Sequence, residues 1–212
     1  MSDAAARPDG PPSFLRELGV DDERMADIER FRLMLEDANT RANLVGASTM
    51  ADFWRRHFLD SAQLLALAPS ARRWADLGSG AGFPGLVLAI LLKEVPGTMI
   101  HLVESTAKRC RFLDDVVREL DLPAKVHWAR AEDLPLEVEV VTARACAPLT
   151  RLLGFAKPSL RRDTKGLFLK GAEVDSELAE ARISWRFAVS LHPSLSDPRG
   201  RILEITELAR AA

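Results

Sequence analysis

Apolar positions along this chain follow two successive rhythms. Over residues 14–68 the recurrence is helical: Met25, Ile28, Phe31, Met34, Leu35 and Ala38 return at three- and four-residue steps, the spacing of one buried helix face. Gly46 interrupts that pattern. Thr49 with Asp52 then forms an S/T-x-x-D/E start signal, Trp54, Phe58, Ala62 and Leu65 line one face of a further helix, and Pro69 closes it. From residue 72 short strand-like runs alternate with helical segments. The runs are 74–77 (WADL), 99–104 (MIHLVE), 125–130 (KVHWAR), 138–145 (VEVVTARA) and 166–171 (GLFLKG), and the helical segments between and after them are 86–95, 106–120, 148–157 and 174–182. This order predicts an α/β fold with a parallel sheet and helices on both faces. Two last runs, 185–191 and 201–208, have no helix between them, only the loop HPSLSDPRG, so they should form an antiparallel hairpin. The expectation is seven strands with the last one reversed. It divides the chain into a disordered leader (1–13), an N-terminal helical extension (14–68) and an α/β domain (69–212).

Composition narrows the class without naming a function. Of 212 residues, 47% are apolar and 28% charged, as in an ordinary globular chain. No apolar run reaches the ~20 residues that span a bilayer, and the longest, LVLAILL at 86–92, fits a buried helix. The N-terminus, MSDAAARPDGPPS, has no apolar stretch of the secretory kind. Cys110 and Cys146 are the only cysteines, and His57, His101, His127 and His192 are scattered, so neither a disulfide framework nor a metal site is expected. A cytoplasmic location and no membrane association follow as expectations. The net charge of −2 gives no support for strong nucleic-acid binding, although a local basic face would suffice.

The densest chemistry lies in WADLGSGAGFPG, residues 74–85. Gly80, Gly82 and Gly85 make a literal G-x-G-x-x-G after the first strand, the turn that in open α/β sheets receives a nucleotide beyond the strand ends. Asp76 argues over which one. Facing that crevice, its carboxylate would repel a pyrophosphate by ~1 to 4 kcal/mol at contact distance. It would suit the α-ammonium and sulfonium of S-adenosyl-L-methionine (SAM), which has no phosphate. Glu104, ending the second strand, can accept both hydrogen bonds of a ribose diol, and Ala131-Glu132-Asp133 follow the third strand, where an adenine edge is met. Arg144 ends the fourth strand and could contact a base, a phosphate or the cofactor pocket, or pair with Glu132 or Asp76. Two further readings stand beside a base-methylating enzyme: a cytosine-C5 methyltransferase with Cys146 as nucleophile, and a NAD-dependent oxidoreductase or nucleotide-binding module, which Asp76 opposes.

RHFLDS (56–61), DLGSGAGFPG (76–85), KRCRFL (108–113), RAED (130–133), ARACA (143–147) and LKG (169–171) occur in an order and spacing that resembles the glucose-inhibited-division B family, the RsmG-type methyltransferases of small-subunit ribosomal RNA. The resemblance runs from about residue 28 to the C-terminus. It implies a class I SAM-dependent methyltransferase acting on N7 of one guanine in 16S rRNA, presented free, in the small ribosomal subunit or in its assembly intermediate, with the chain expected as a monomer. It implies cofactor contacts at Gly78, Phe83, Ala131, Glu132 and Arg144, beside Asp76, Gly80 and Glu104 from the residue reading. Glu104 stands where relatives often have Asp, and the segment before Asn43-Leu44 lacks a Trp often found there. His57 and Asp60, three apart on a helix, share a face. The resemblance makes them, with Arg56, a site-facing cluster that closes over cofactor and substrate, with Arg144 a further substrate-site candidate. Arg55, Arg56, Lys108, Arg109 and Lys170 are the expected RNA contacts. Lys108 and Arg109 fall in a helix first turn, where the macrodipole disfavours cations unless a phosphate offsets it. Guanine N7 has a lone pair and no proton, so the reaction needs alignment and no general base. The chain accordingly has no Ser-His-Asp set and no N-P-P-[YFW] motif.

Overall fold

The computed structural model describes residues 20–46 and 50–211. The expected leader, the first residues of the helical stretch and Thr49 of the expected start signal lie outside the described residues. Helix α1 (Asp22–Ala42) begins where the Asp21 side chain accepts the Arg24 N–H at 2.9 Å, and it ends at Asn43, whose φ of 51° suits a residue that tolerates left-handed backbone. Its expected apolar face is buried: Ile28, Phe31 and Leu35 have no exposed surface.

The second expected helix takes a different form. Residues Trp54–Leu59 make a π-helical turn in which the Asp60 N–H reaches back to the Arg55 carbonyl, followed by two short helices, α2 (Asp60–Ala62) and α3 (Leu64–Leu67). Phe58 and Ala62 keep their place in the core, with Trp54 and Leu65 packed against it. The wider turn lets the adjacent His57 go inward as well, toward a different neighbour. Such π-turns are concentrated at functional sites.

Beyond them the alternation is as the pattern predicts. The elements are β1 (Arg73–Leu77), α4 (Gly85–Leu91), β2 (Met99–Glu104), α5 (Ala107–Glu119), β3 (Ala124–Trp128), β4 (Val140–Arg144), α6 (Leu149–Ala156), β5 (Lys165–Lys170), α7 (Val174–Ser184), β6 (Trp185–Pro193) and β7 (Arg201–Arg210). Helix α4 stops short of the expected residue 95, where Pro96 disfavours helical backbone at Val95. Among the described residues, seven strands form one sheet in the order β3-β2-β1-β4-β5-β7-β6. Strands β1 to β5 pair in parallel, and β7 is antiparallel to both β5 and β6, which is the expected hairpin.

Each face of the sheet carries its own core. Ile100, Leu102 and Trp74 pack with α4 and α5 and with Ile28, Phe31 and Leu35 of α1, so the N-terminal helix shares a core with the sheet. On the other face Ala75, Val103 and Val141 pack with Leu149 and Leu153 of α6. The strand order reverses between β1 and β4, so their carboxyl ends frame the crevice at which open α/β sheets bind ligands.

Candidate active site

The turn after β1 is tied to the neighbouring strand by two hydrogen bonds, from the N–H groups of Gly78 (2.8 Å) and Ser79 (3.1 Å) to the Val103 carbonyl. Gly78, at φ +68°, requires the left-handed region, and a Cβ there would stand 2.7 Å from Cys146 Sγ. At Gly85 a side chain would collide with Leu102 and would lie 2.8 Å from an Asp76 oxygen. These glycines leave a backbone-walled cradle between β1 and β4.

Asp76 is placed differently from the expectation that it faces the crevice. It is fully buried, with one oxygen accepting the Gly85 N–H at 3.0 Å and the other the Thr142 hydroxyl at 3.2 Å. The carboxylate staples the glycine turn to the start of α4 and to β4 from a fully buried position beneath the cradle. Burial pushes its pKa up to about 6, against the lowering effect of those hydrogen bonds. A folded-state value above the unfolded one means that the folded chain holds the extra proton. Stability is therefore greatest below about 4 and declines as pH rises to about 6, by roughly 3 kcal/mol at most for this group. We expect Asp76→Asn to remove that decline. Thermal unfolding of both proteins across this window checks it, and parallel curves for the two would sink the assignment.

Glu104 is only 4% exposed. One oxygen accepts the Thr106 N–H at 2.8 Å, the other accepts the Gly80 N–H at 3.0 Å, and Arg109 stands 3.7 Å away. The carboxylate lies beside the glycine loop and retains lone pairs for a further donor. Ala131–Asp133 form a 3-10 turn after β3, Ala131 half-buried and Glu132 exposed, with Arg130 3.8 Å from Glu132.

The structure brings Arg144, His57 and Asp60 together. The Arg144 guanidinium donates to His57 Nδ1 at 2.8 Å and to the Arg56 carbonyl at 2.6 Å, lies 3.4 Å from an Asp60 oxygen, and sits 4.8 Å above the Phe83 ring. Its partner is thus Asp60, and no ion pair joins it to Glu132 or Asp76. His57 stacks on Phe83 with ring centroids 4.5 Å apart. Burial, and then the charges of Arg144 and Arg56, lower its pKa to about 3. An arginine only donates, so Nδ1 accepts and the proton of the neutral ring is on Nε2, which is buried without a partner among the described residues. Asp60 also accepts from the Gln63 amide at 3.1 Å and from the Ser196 hydroxyl. Ser196 lies in the β6–β7 loop, which emerges at the same end of the sheet because β6 runs parallel to β5.

This wall borders a cleft of about 1000 Å3, lined also by Arg55, Arg56, Lys170, Arg199 and Arg201. Sequence reasoning missed the contribution of residues 194–201. Its signal was the Pro-Ser-Asp-Gly loop itself, which becomes informative only once the strand directions are known. Not all the expected RNA contacts are available at the surface. Lys170 is held by Glu177 at 2.6 Å and the Ala147 carbonyl at 2.8 Å, with its side chain only 9% exposed. Lys108 is exposed and donates one hydrogen bond to the Arg41 carbonyl at 2.8 Å, which partly offsets its unfavourable place at the start of α5 and leaves further N–H groups outward. Arg55 bonds the Ser196 carbonyl at 2.8 Å, and both it and Arg56 are exposed on the cleft.

A seven-stranded sheet with this order, a glycine cradle after β1 and an acid ending β2 define the class I SAM-dependent methyltransferase fold. An S-adenosylhomocysteine-bound methyltransferase from Podospora anserina superposes with a TM-score of 0.58 at 13% identity, covering 88% of each chain. A magnesium protoporphyrin IX methyltransferase from Synechocystis with bound SAM gives 0.53 at 13% identity, over 89% of this chain and 99% of that one. At such identities the likeness concerns the fold. The sequence goes further: the family profile GidB, rRNA small subunit methyltransferase G, matches residues 24–199, and a curated ribosomal RNA small subunit methyltransferase G from Caulobacter vibrioides is 58% identical over 93% of this chain and 91% of its own length. The chain belongs to the GidB family of rRNA small subunit methyltransferases.

Proposed function

We propose that this enzyme transfers the methyl group of SAM to N7 of a guanine in 16S rRNA, within the small ribosomal subunit or a precursor of it. The observation that carries the proposal is the wall formed by Arg144, His57 and Asp60 at the mouth of the glycine cradle, in a chain of this family. SAM, when bound, supplies an electrophilic methyl on a sulfonium. The cradle residues Gly78 and Gly80, Glu104 at the end of β2 and the Ala131–Glu132 turn are the groups suited to hold it, and Phe83 and Asp76 support them from beneath. No helix among the described residues is long and apolar enough to cross a membrane, and an rRNA substrate puts the work in the cytoplasm.

The hydrogen bonding in the wall favours N7 as acceptor. His57 is a neutral ring whose one acceptor nitrogen is occupied by Arg144. Asp60 is engaged by Arg144, Gln63 and Ser196. His57 has no free acceptor nitrogen, and attack by the N7 lone pair calls for no base in the methyl-transfer step. The residues present donate hydrogen bonds and fix position, which matches a base recognised through its acceptor edge.

A cytosine-C5 mechanism would require Cys146 as a thiolate. Burial, followed by the nearby carboxylates Asp76 and Glu104, raises its pKa, which disfavours that form. We expect Cys146→Ala to retain activity within about tenfold of wild type, a barrier change of ~1.4 kcal/mol. Transfer of labelled methyl from SAM to small-subunit particles from cells lacking the gene, followed by nuclease mapping of the labelled base, tests both points. Label on cytosine, or a folded Cys146→Ala enzyme that binds SAM but is inactive, would overturn the N7 reading.

A further inference from the structure

One aromatic side chain stands apart from every feature used so far. Trp74 and Trp185 are buried, and Trp54 is half-buried against the core, but Trp128, the last residue of β3, is 71% exposed. Its position is nevertheless fixed. The indole N–H donates to the Ser105 carbonyl at 3.0 Å, which anchors the ring across the turn between β2 and α5. In the sheet register Trp128 is the neighbour of Glu104, the acid beside the glycine loop.

Two arginines lie on the segments next to the ring. Arg109, with a half-exposed side chain, stands 3.7 Å from Glu104 at the same turn. Arg130, two residues beyond the tryptophan, is exposed, with its guanidinium 3.8 Å from a Glu132 oxygen. Glu104 itself is buried, with both oxygens on backbone N–H groups, and presents little charge outward. An oriented, exposed indole with an arginine on each adjoining segment, Arg109 in the first turn of α5 and Arg130 two residues past β3, supplies the two kinds of group that hold a single-stranded nucleotide, a stacking surface for the base and charges for the phosphates.

The ring stands beside Glu104, the acid at the ribose side of the cofactor pocket, and on the sheet face opposite the adenine-side turn. Paired residues of parallel strands point to the same face, and Val126 packs with Leu102 in the core beneath α4 and α5, so Glu104 and Trp128 share that face. Ala131, at the turn suited to the adenine end of the cofactor, packs on the opposite face. We infer that Trp128, with Arg109 and Arg130, is a stacking site for an unpaired RNA base, outside the cleft at Arg144 and on the β3 side of the crevice. The inference rests on the reading of the chain as an rRNA methyltransferase. It adds a second contact with the substrate, across the cofactor site from the base to be methylated.

Two readouts test it. Small-subunit particles from cells lacking the gene serve as substrate, and a single-stranded oligoribonucleotide serves as a direct probe. Trp128→Ala should raise KM for the particles about tenfold, ~1.4 kcal/mol, with kcat and S-adenosylhomocysteine affinity unchanged, and Trp128→Phe should restore most of the loss because it keeps a ring. The oligoribonucleotide should quench tryptophan fluorescence in the wild type and much less in Trp128→Phe. Unchanged KM and quenching in the variants would overturn the inference while wild-type methylation of the particles left the enzyme's function standing. Weakened S-adenosylhomocysteine binding in Trp128→Ala would also overturn it and assign the ring to the cofactor. Wild-type enzyme that fails to methylate the particles would remove this inference together with the reading beneath it.

Discussion

Arg144→Ala is expected to lower kcat/KM on the order of a hundredfold to a thousandfold, ~2.7 to 4 kcal/mol of transition-state stabilisation. The guanidinium is a junction, joining His57 Nδ1, the Arg56 carbonyl and Asp60 while covering the Phe83 ring. Removing it leaves the His57 nitrogen without its donor and Asp60 without its cation, in a wall whose side chains are mostly out of water. Truncating one partner of a buried hydrogen-bonded charge pair costs ~2 to 5 kcal/mol, much of it from the group left behind. Arg144→Lys should recover little, since one ammonium cannot span three acceptors in the geometry of a planar fork. Steady-state kinetics with small-subunit particles, alongside circular dichroism to verify folding, measures the effect. Activity of a folded Arg144→Ala variant within tenfold of wild type would mean that the wall is structural and that the acceptor base lies elsewhere.

Gly78→Asp should weaken SAM binding by at least about a hundredfold, ~2.7 kcal/mol. Two costs combine. Gly78 sits at φ +68°, where a side chain carries strain of ~1 to 2 kcal/mol, and a Cβ would lie 2.7 Å from Cys146 Sγ. The carboxylate would then project into the cradle that the glycine leaves open. Gly78→Ala combined with Cys146→Ala separates these contributions, because shortening residue 146 relieves the clash while the backbone strain persists. Isothermal titration with S-adenosylhomocysteine should show the double variant binding markedly better than Gly78→Asp. Equal loss in both would assign the effect to the turn's backbone alone, and unaltered binding by Gly78→Asp would place the cofactor outside the cradle.

Much of this architecture is written locally. A strand such as MIHLVE, bounded by turn residues and followed by a helical period, is recognisable without its neighbours, and it occupies Met99–Glu104 as expected. The final hairpin is legible for the same reason, since no helix intervenes to permit a parallel return. What escaped the sequence depends on tertiary partners. The π-helical turn at Trp54–Leu59, which buries His57 beside Phe58, has no signature in an apolar period of three and four. Asp76 looks free to face a ligand until Gly85 and Thr142 fold onto its two oxygens. Lys170 reads as a surface cation, but Glu177 from α7 covers it. Motif spacing located the site, and the packing around each charge decided which groups remain open to a substrate.

The central claim is that this chain methylates a guanine of small-subunit rRNA. Mass mapping of nuclease fragments of 16S rRNA from cells with and without the gene tests it most directly. The account predicts that one guanine-containing fragment loses a single methyl mass in the deletion strain, that the wild-type gene restores it, and that the Arg144→Ala gene does not. Identical fragment masses in the two strains, or a methyl group lost from a cytosine, would contradict it.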